Sequence, residues 1–221
     1  MTALATTPVT LPRRPALAAG LGLLVMAVVA GLANFLAIEP LLTAGDADAI
    51  AEAVAGSESQ LLWGTAGLAV AAALDVVVAL ALWKFFAPIA PRTAATGGVL
   101  RLVYTAVFVA AIVQLPAALG ATSNADITAA LDRFETIWDL GLIIFGAHLV
   151  VTCVLAWMVG GTAPRLVGAL VAIAGAGYAI DGIGAAFIDG YSLDLVLYTF
   201  VGELVLMVWL LVRAFARPAA A

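Results

Sequence analysis

Four acidic residues stand inside long apolar stretches of this 221-residue chain: Asp75, Asp139, Asp181 and Glu203. His148, the one histidine, and the amides Asn34 and Gln114 stand in such stretches too. Carboxylates and imidazoles in apolar surroundings are the groups that bind cations, relay protons or work as acid–base pairs. A charge near a bilayer centre costs on the order of 2.5–3.5 kcal/mol on insertion scales, so such side chains are rare and usually face a bundle interior. The sequence places no Lys or Arg at the depth of Glu203 or Asp181. Their counter-charge is then a protonated His148, a bound proton, or an external cation or amine.

Each polar residue also has a plainer role open to it. Asp139 is close enough to a segment end to cap or snorkel. Asn34 and Gln114 suit hydrogen bonds between helices. His148 suits a satisfied core position, and Asp75 suits partnership with His148 or Glu203. Glu203 and Asp181 are the hardest to explain by a helix end. Around Asp181, Gly177 and Gly184 share its helical face, a small-residue seam that lets another helix approach. Thr199 lies one turn before Glu203, and Thr152 one turn after His148.

Several chemistries are excluded by inventory. Asp139 and His148 are nine residues apart, on nearly opposite faces of one helix, so an acid–base pair on His148 needs Asp75 or Glu203. There is no G-x-S-x-G or H-E-x-x-H motif and no Cys–His arrangement. With one histidine and one cysteine, Cys153, neither an intrachain disulfide nor a zinc site of several imidazoles or thiolates is possible. No metal or other cofactor is expected. A net charge of −5 gives no basic footprint for nucleic acid.

The elements that must hold these residues follow from composition. The chain is 65% hydrophobic and 10% charged, against about 45–50% and 25% in soluble domains. The excess apolar surface has to face lipid. Six runs are long enough to cross a bilayer as helices: 16–38, 61–86, 99–119, 137–159, 166–188 and 193–215. The expectation is an all-α bundle of six transmembrane helices, residues 16–215, with short cytoplasmic tails at 1–15 and 216–221. The first run exceeds the roughly 7–15 residues of a secretory signal core and reads as a retained anchor.

Orientation rests on the basic residues. Arg13, Arg14, Lys84, Arg92, Arg101, Arg165, Arg213 and Arg217 fall at the ends or loops of one side, and Arg133 alone on the other. The positive-inside rule then puts both termini in the cytoplasm. By depth, Asn34, Gln114, Asp139 and Asp181 form an outer layer. His148, Glu203 and Asp75 form a second layer near the middle. Pro116, two residues after Gln114, predicts a kink in the third helix. In the first outer loop, Ile50, Ala53 and Val54 share a face, which predicts a short amphipathic helix. Ser57-Glu-Ser-Gln60 has the form of a capping box opening the second span. The five tryptophans mostly lie near segment ends, as interface aromatics do.

The run Phe134-Glu-Thr-Ile-Trp-Asp-Leu-Gly-Leu-Ile-Ile-Phe-Gly-Ala-His-Leu149 resembles the fourth-helix signature of the bacterial family called domain of unknown function 4386. Pro164-Arg-Leu-Val-Gly168, Gly177-Tyr-Ala-Ile-Asp181, and Gly202-Glu203 with the Leu-rich stretch to Trp209 are similar to that family as well, as is the order of the spans. Asp139, His148, Asp181 and Glu203 stand in the matching motifs. The resemblance implies a six-helix membrane protein of the bacterial inner membrane and assigns no activity. The function expected is that of a small carrier or ligand-binding protein that takes a proton, cation or amine into an acidic pocket; the alternatives are a structural or assembly subunit and, ranked last, an intramembrane enzyme using His148 with a carboxylate. The lipid bilayer is the one certain partner, and the oligomeric state is open.

Overall fold

The computed structural model describes residues 10–216. Six helices in it are long and apolar enough to cross a membrane, each with a stretch of mean hydropathy between 1.8 and 2.4. The first crosses as α1 (Arg13–Ala33), a π-helical segment (Asn34–Ile38) and α2 (Glu39–Leu42). Pro40 supplies no N–H, and just before it the Glu39 N–H reaches the Asn34 carbonyl five residues back. A loop helix, α3 (Ala47–Gly56), follows. Then come α4 (Glu58–Phe86), α5 (Pro91–Ile112) with α6 (Gln114–Leu119), α7 (Asn124–Val159), α8 (Thr162–Phe187), and α9 (Val196–Thr199) with α10 (Val201–Phe215).

Each span packs on the one before it, and α10 returns to α1, so the six form a closed ring. The ring needs close backbone approaches. A Cβ on Gly146 of α7 would lie 2.6 Å from the Gly175 carbonyl of α8, and one on Gly20 of α1 would lie 2.7 Å from Leu211 of α10. Arg13 Nε donates to the Ala214 carbonyl at 2.8 Å and closes the ring at its basic end. The outer wall is apolar: Val28, Phe35, Val150, Ile173 and Val208 are all exposed to where lipid lies.

At the predicted kink the regular helix is interrupted at Val113, and Pro116 has no N–H to give the Ile112 carbonyl. The loop helix is present too, as α3. It buries Val54 and Ala51, and Asp46 caps it by accepting from the Ala49 N–H.

Three sequence expectations need correction. The Ser57 side chain makes no capping bond; Gln60 instead donates to the Ala37 carbonyl at 3.1 Å, tying α4 to the π-helical segment. Trp209 is buried against Phe85 and Phe86 rather than at an interface. Arg101 is not at an end of the bundle. The third apolar run was expected to begin at residue 99, but α5 starts at Pro91 and contains the Gly97-Gly98 pair. Arg101 is nine residues beyond Arg92, about 14 Å into the span by helical rise, and wholly buried. The tally behind the orientation loses that residue, and Arg217 lies outside the described residues. Arg13, Arg14, Lys84, Arg92, Arg165 and Arg213 remain at one end.

Candidate functional site

Arg101 changes the chemistry expected of the bundle interior. Ala94, Gly97, Gly98, Arg101, Thr105 and Phe108 recur at helical spacing as the buried face of α5. This periodicity was the available signal that Arg101 points inward with Thr105 rather than toward water. The glycines let α4 and α7 come near: a Cβ on Gly98 would lie 3.1 Å from Trp83, and one on Gly97 3.2 Å from Val151. Arg101 thereby reaches Asp75 on α4. Its Nε donates to Asp75 Oδ1 at 2.8 Å, and Nη2 lies 2.5 Å from the same oxygen. Nη2 makes no well-aligned hydrogen bond of its own; its contact with Asp75 is electrostatic. Thr105 Oγ1 lies 2.5 Å from Asp75 Oδ2, where its hydroxyl donates. Cζ of Arg101 sits 5.1 Å from the Phe145 ring centre, a cation–π contact.

His148 completes this cluster as an acceptor. Its Nδ1 is 2.9 Å from the Gly97 carbonyl. A carbonyl only accepts, so Nδ1 carries the hydrogen, and Nε2 offers its lone pair to Arg101 Nη1 at 3.2 Å. Thr152 Oγ1 donates to the His148 carbonyl at 3.0 Å. Of the three counter-charges expected for Glu203 and Asp181, a protonated His148 is the one this geometry opposes, because its Nε2 lone pair faces a guanidinium. Asp75 is neutralised by that guanidinium, which His148 orients.

Glu203 is placed differently. Tyr178 of α8 donates its hydroxyl to Glu203 Oε1 at 2.6 Å. Glu203 and Tyr178 both line a cavity of about 410 Å³ within the ring. Asp75, Arg101, Tyr104 and Asn34 also reach its wall, and every span contributes to it. Most of the lining is apolar, Leu23, Met26, Phe108, Leu142, Phe145 and Met207 among it. Size and lining are those of a small-molecule site: concave, mainly hydrophobic, with a few convergent polar groups.

Asp181 lies outside the cavity lining and is a clamp. Its Oδ1 accepts from the Tyr191 hydroxyl at 2.5 Å and its Oδ2 from the Val196 N–H at 2.6 Å. The small-residue seam around it is filled by the chain itself: a Cβ on Gly177 would collide with Thr199, and one on Gly184 with Tyr191. Asp139 is half-buried on α7, and its carbonyl packs against Gly182. Gln114 accepts from Arg133 Nε at 3.3 Å and donates to the Ala110 carbonyl.

The structure thus brings Asn34, Asp75 and Glu203 to one cavity, with His148 behind Arg101. Gln114, Asp139 and Asp181 are directed elsewhere. Tyr104 and Tyr178 belong to the site and escaped the sequence reading, because interior tyrosines look like ordinary aromatic packing until a neighbouring helix is in place. They join Phe145, with Tyr104 and Phe145 ring centres 4.7 Å apart and Phe145 and Tyr178 5.0 Å apart.

Comparison with known proteins identifies no activity. The family described as Domain of unknown function (DUF4386) matches residues 18–214. An uncharacterized protein of the archaeon Archaeoglobus fulgidus is 32% identical over 152 residues, 69% of this chain and 84% of that protein. No solved structure matches.

Proposed function

The chain belongs to the DUF4386 family, and from that premise we propose that it is a ligand-binding or carrier protein of the membrane whose interior cavity takes a cation, with Glu203 as the anchoring carboxylate. One observation carries this reading. Of the two acids on the cavity wall, Asp75 is neutralised by Arg101, whereas Glu203 has a single hydroxyl, that of Tyr178, and no basic partner among the described residues. A carboxylate in low dielectric is stable when it shares its site with a proton or another positive charge. The mainly apolar wall favours an organic amine over a hydrated metal ion, which keeps oxygen ligands and water about it. Acid–base catalysis by His148 has less support, since its ring faces Arg101 and the Gly97 carbonyl rather than a carboxylate.

The test is thermal unfolding of the detergent-purified protein against protons, divalent cations and primary and quaternary amines. A ligand that binds the native state raises its stability by about 2.7 kcal/mol at a hundredfold excess over Kd. We expect amines to stabilise the wild type and Asp181→Asn but not Glu203→Gln. If Glu203→Gln responds like the wild type to every cation, the reading fails, and a structural role for the interior acids takes its place.

A further inference from the structure

The cavity has a side door. At the basic end α1 and α10 are pressed together, Gly20 against Leu211, with Arg13 bonded to Ala214. Farther along, the same two spans form facing walls: Ala30, Gly31 and Asn34 on one side, Phe200, Glu203 and Leu204 on the other. Ala27 and Phe35 of the first span, and Leu197 and Phe200 of the last, line the cavity and are also exposed on the outer wall of the bundle. The opening therefore faces the hydrocarbon of the bilayer. Both flanks are irregular at this level. The first span is π-helical over Asn34–Ile38, and the last breaks at Phe200 between α9 and α10. Interruptions in membrane helices are tolerated where they line a cavity.

We propose, building on the cation reading above, that the ligand is an amphiphile dissolved in the membrane, with a cationic amine head and an apolar chain, and that it enters sideways between α1 and α10. The head meets Glu203 and the Tyr178 hydroxyl, while the chain lies along the apolar wall. The lining residues of the first span run from Leu23 to Phe35, about 18 Å of helix, a spread suited to a chain rather than a compact cation. Charge complementarity selects the head: the Asp75–Arg101 pair is internally balanced, which leaves Glu203 as the wall's net charge. Lateral access also spares the apolar portion any passage through water.

The experiment uses the whole chain in phosphatidylcholine nanodiscs, with unfolding followed by tryptophan fluorescence. Three probes separate head from chain: dodecylamine has both, butylamine the head alone, dodecanol the chain alone. Dodecylamine at a hundredfold excess over Kd should raise Tm by roughly 5–10 °C, and the other two by far less. Glu203→Gln should abolish the dodecylamine shift. Gly31→Trp should also remove most of it with Glu203 intact, because Gly31 lines the mouth and a Cβ there would have open space within 4 Å. Ala27→Phe, at an exposed position of the same mouth, serves if the tryptophan variant misfolds. Equal, Glu203-dependent shifts from butylamine would overturn the amphiphile and keep the cation site. A dodecylamine shift untouched by both mouth variants would overturn lateral access. Absence of any Glu203-dependent shift, with short or long amines, would overturn the cation reading itself.

Discussion

Asp75 and Glu203 lie on the wall of one cavity, yet they are held in opposite ways. Asp75 has a guanidinium at 2.5 Å and a threonine hydroxyl on its second oxygen, and the guanidinium is steadied in turn by His148 and Phe145. The charge of Asp75 and both of its oxygens are thus answered from within the chain. Glu203 has one neutral donor, Tyr178, and is left partly open to the cavity. A buried acid inside a membrane is thus not by itself a mark of a ligand. The difference lies in how much of its charge the fold already compensates. Asp181 stands between the two: it has no cationic partner among the described residues, but a tyrosine hydroxyl and a backbone N–H occupy both its oxygens.

The comparison makes graded predictions. The largest effect should come from Arg101→Leu, which strands the Asp75 carboxylate in the ring: about 3–5 kcal/mol of stability lost, read from unfolding in mixed detergent. Adding Asp75→Leu should restore most of it, since replacing a buried pair by apolar side chains is often neutral. If the double variant is as unstable as the single one, Asp75 is not the group that Arg101 compensates. Asp181→Asn should cost about 1.5–3 kcal/mol, the range for hydrogen bonds to a charged group, with amine binding retained. Glu203→Gln should change stability by less than about 1 kcal/mol, because an amide oxygen still accepts from Tyr178. A loss as large as that of Arg101→Leu would place Glu203 among the structural acids.

The smallest effect is a titration. The bond to Asp181 pushes the Tyr191 hydroxyl up to about 12 from its ordinary value of 10.0. The folded protein therefore holds that proton more tightly than the unfolded chain does. The stabilisation from the bond is complete below pH 10 and is lost as pH rises from there through about 12. The difference in ultraviolet absorbance between wild type and Tyr191→Phe reads this titration directly, and Asp181→Asn should bring the midpoint down.

How far the sequence could be read differs between these two regions. Glu203, Asp75 and His148 announced themselves as polar residues in apolar runs, and their common layer followed from counting helical rise along spans of alternating direction. Arg101 did not. A glycine pair beside an arginine reads equally as a loop at the membrane boundary and as a close helix contact, and composition favours the loop. Asp181 was singled out correctly as sitting in a small-residue seam. What fills that seam is the returning segment with Tyr191 and Thr199, which only a folded chain identifies. Likewise Ser57 and Gln60 fit a capping pattern, but a carbonyl on a neighbouring helix took the Gln60 amide.

By itself the sequence determined the solvent and the class of fold. Six long apolar runs in water are prohibitively costly, and in hydrocarbon each must form its own helix, because no other partner exists for its backbone N–H and C=O groups. Those constraints are local and independent of how the helices meet. Charge pairing is not local. Whether Asp75 or Glu203 is neutralised depends on which side chains from other spans lie within about 4 Å, and that is set by the order of the ring, the glycine contacts and the rotation of each helix. The tertiary structure gave Arg101 to Asp75 and left Glu203 facing a cavity with the Tyr178 hydroxyl against it.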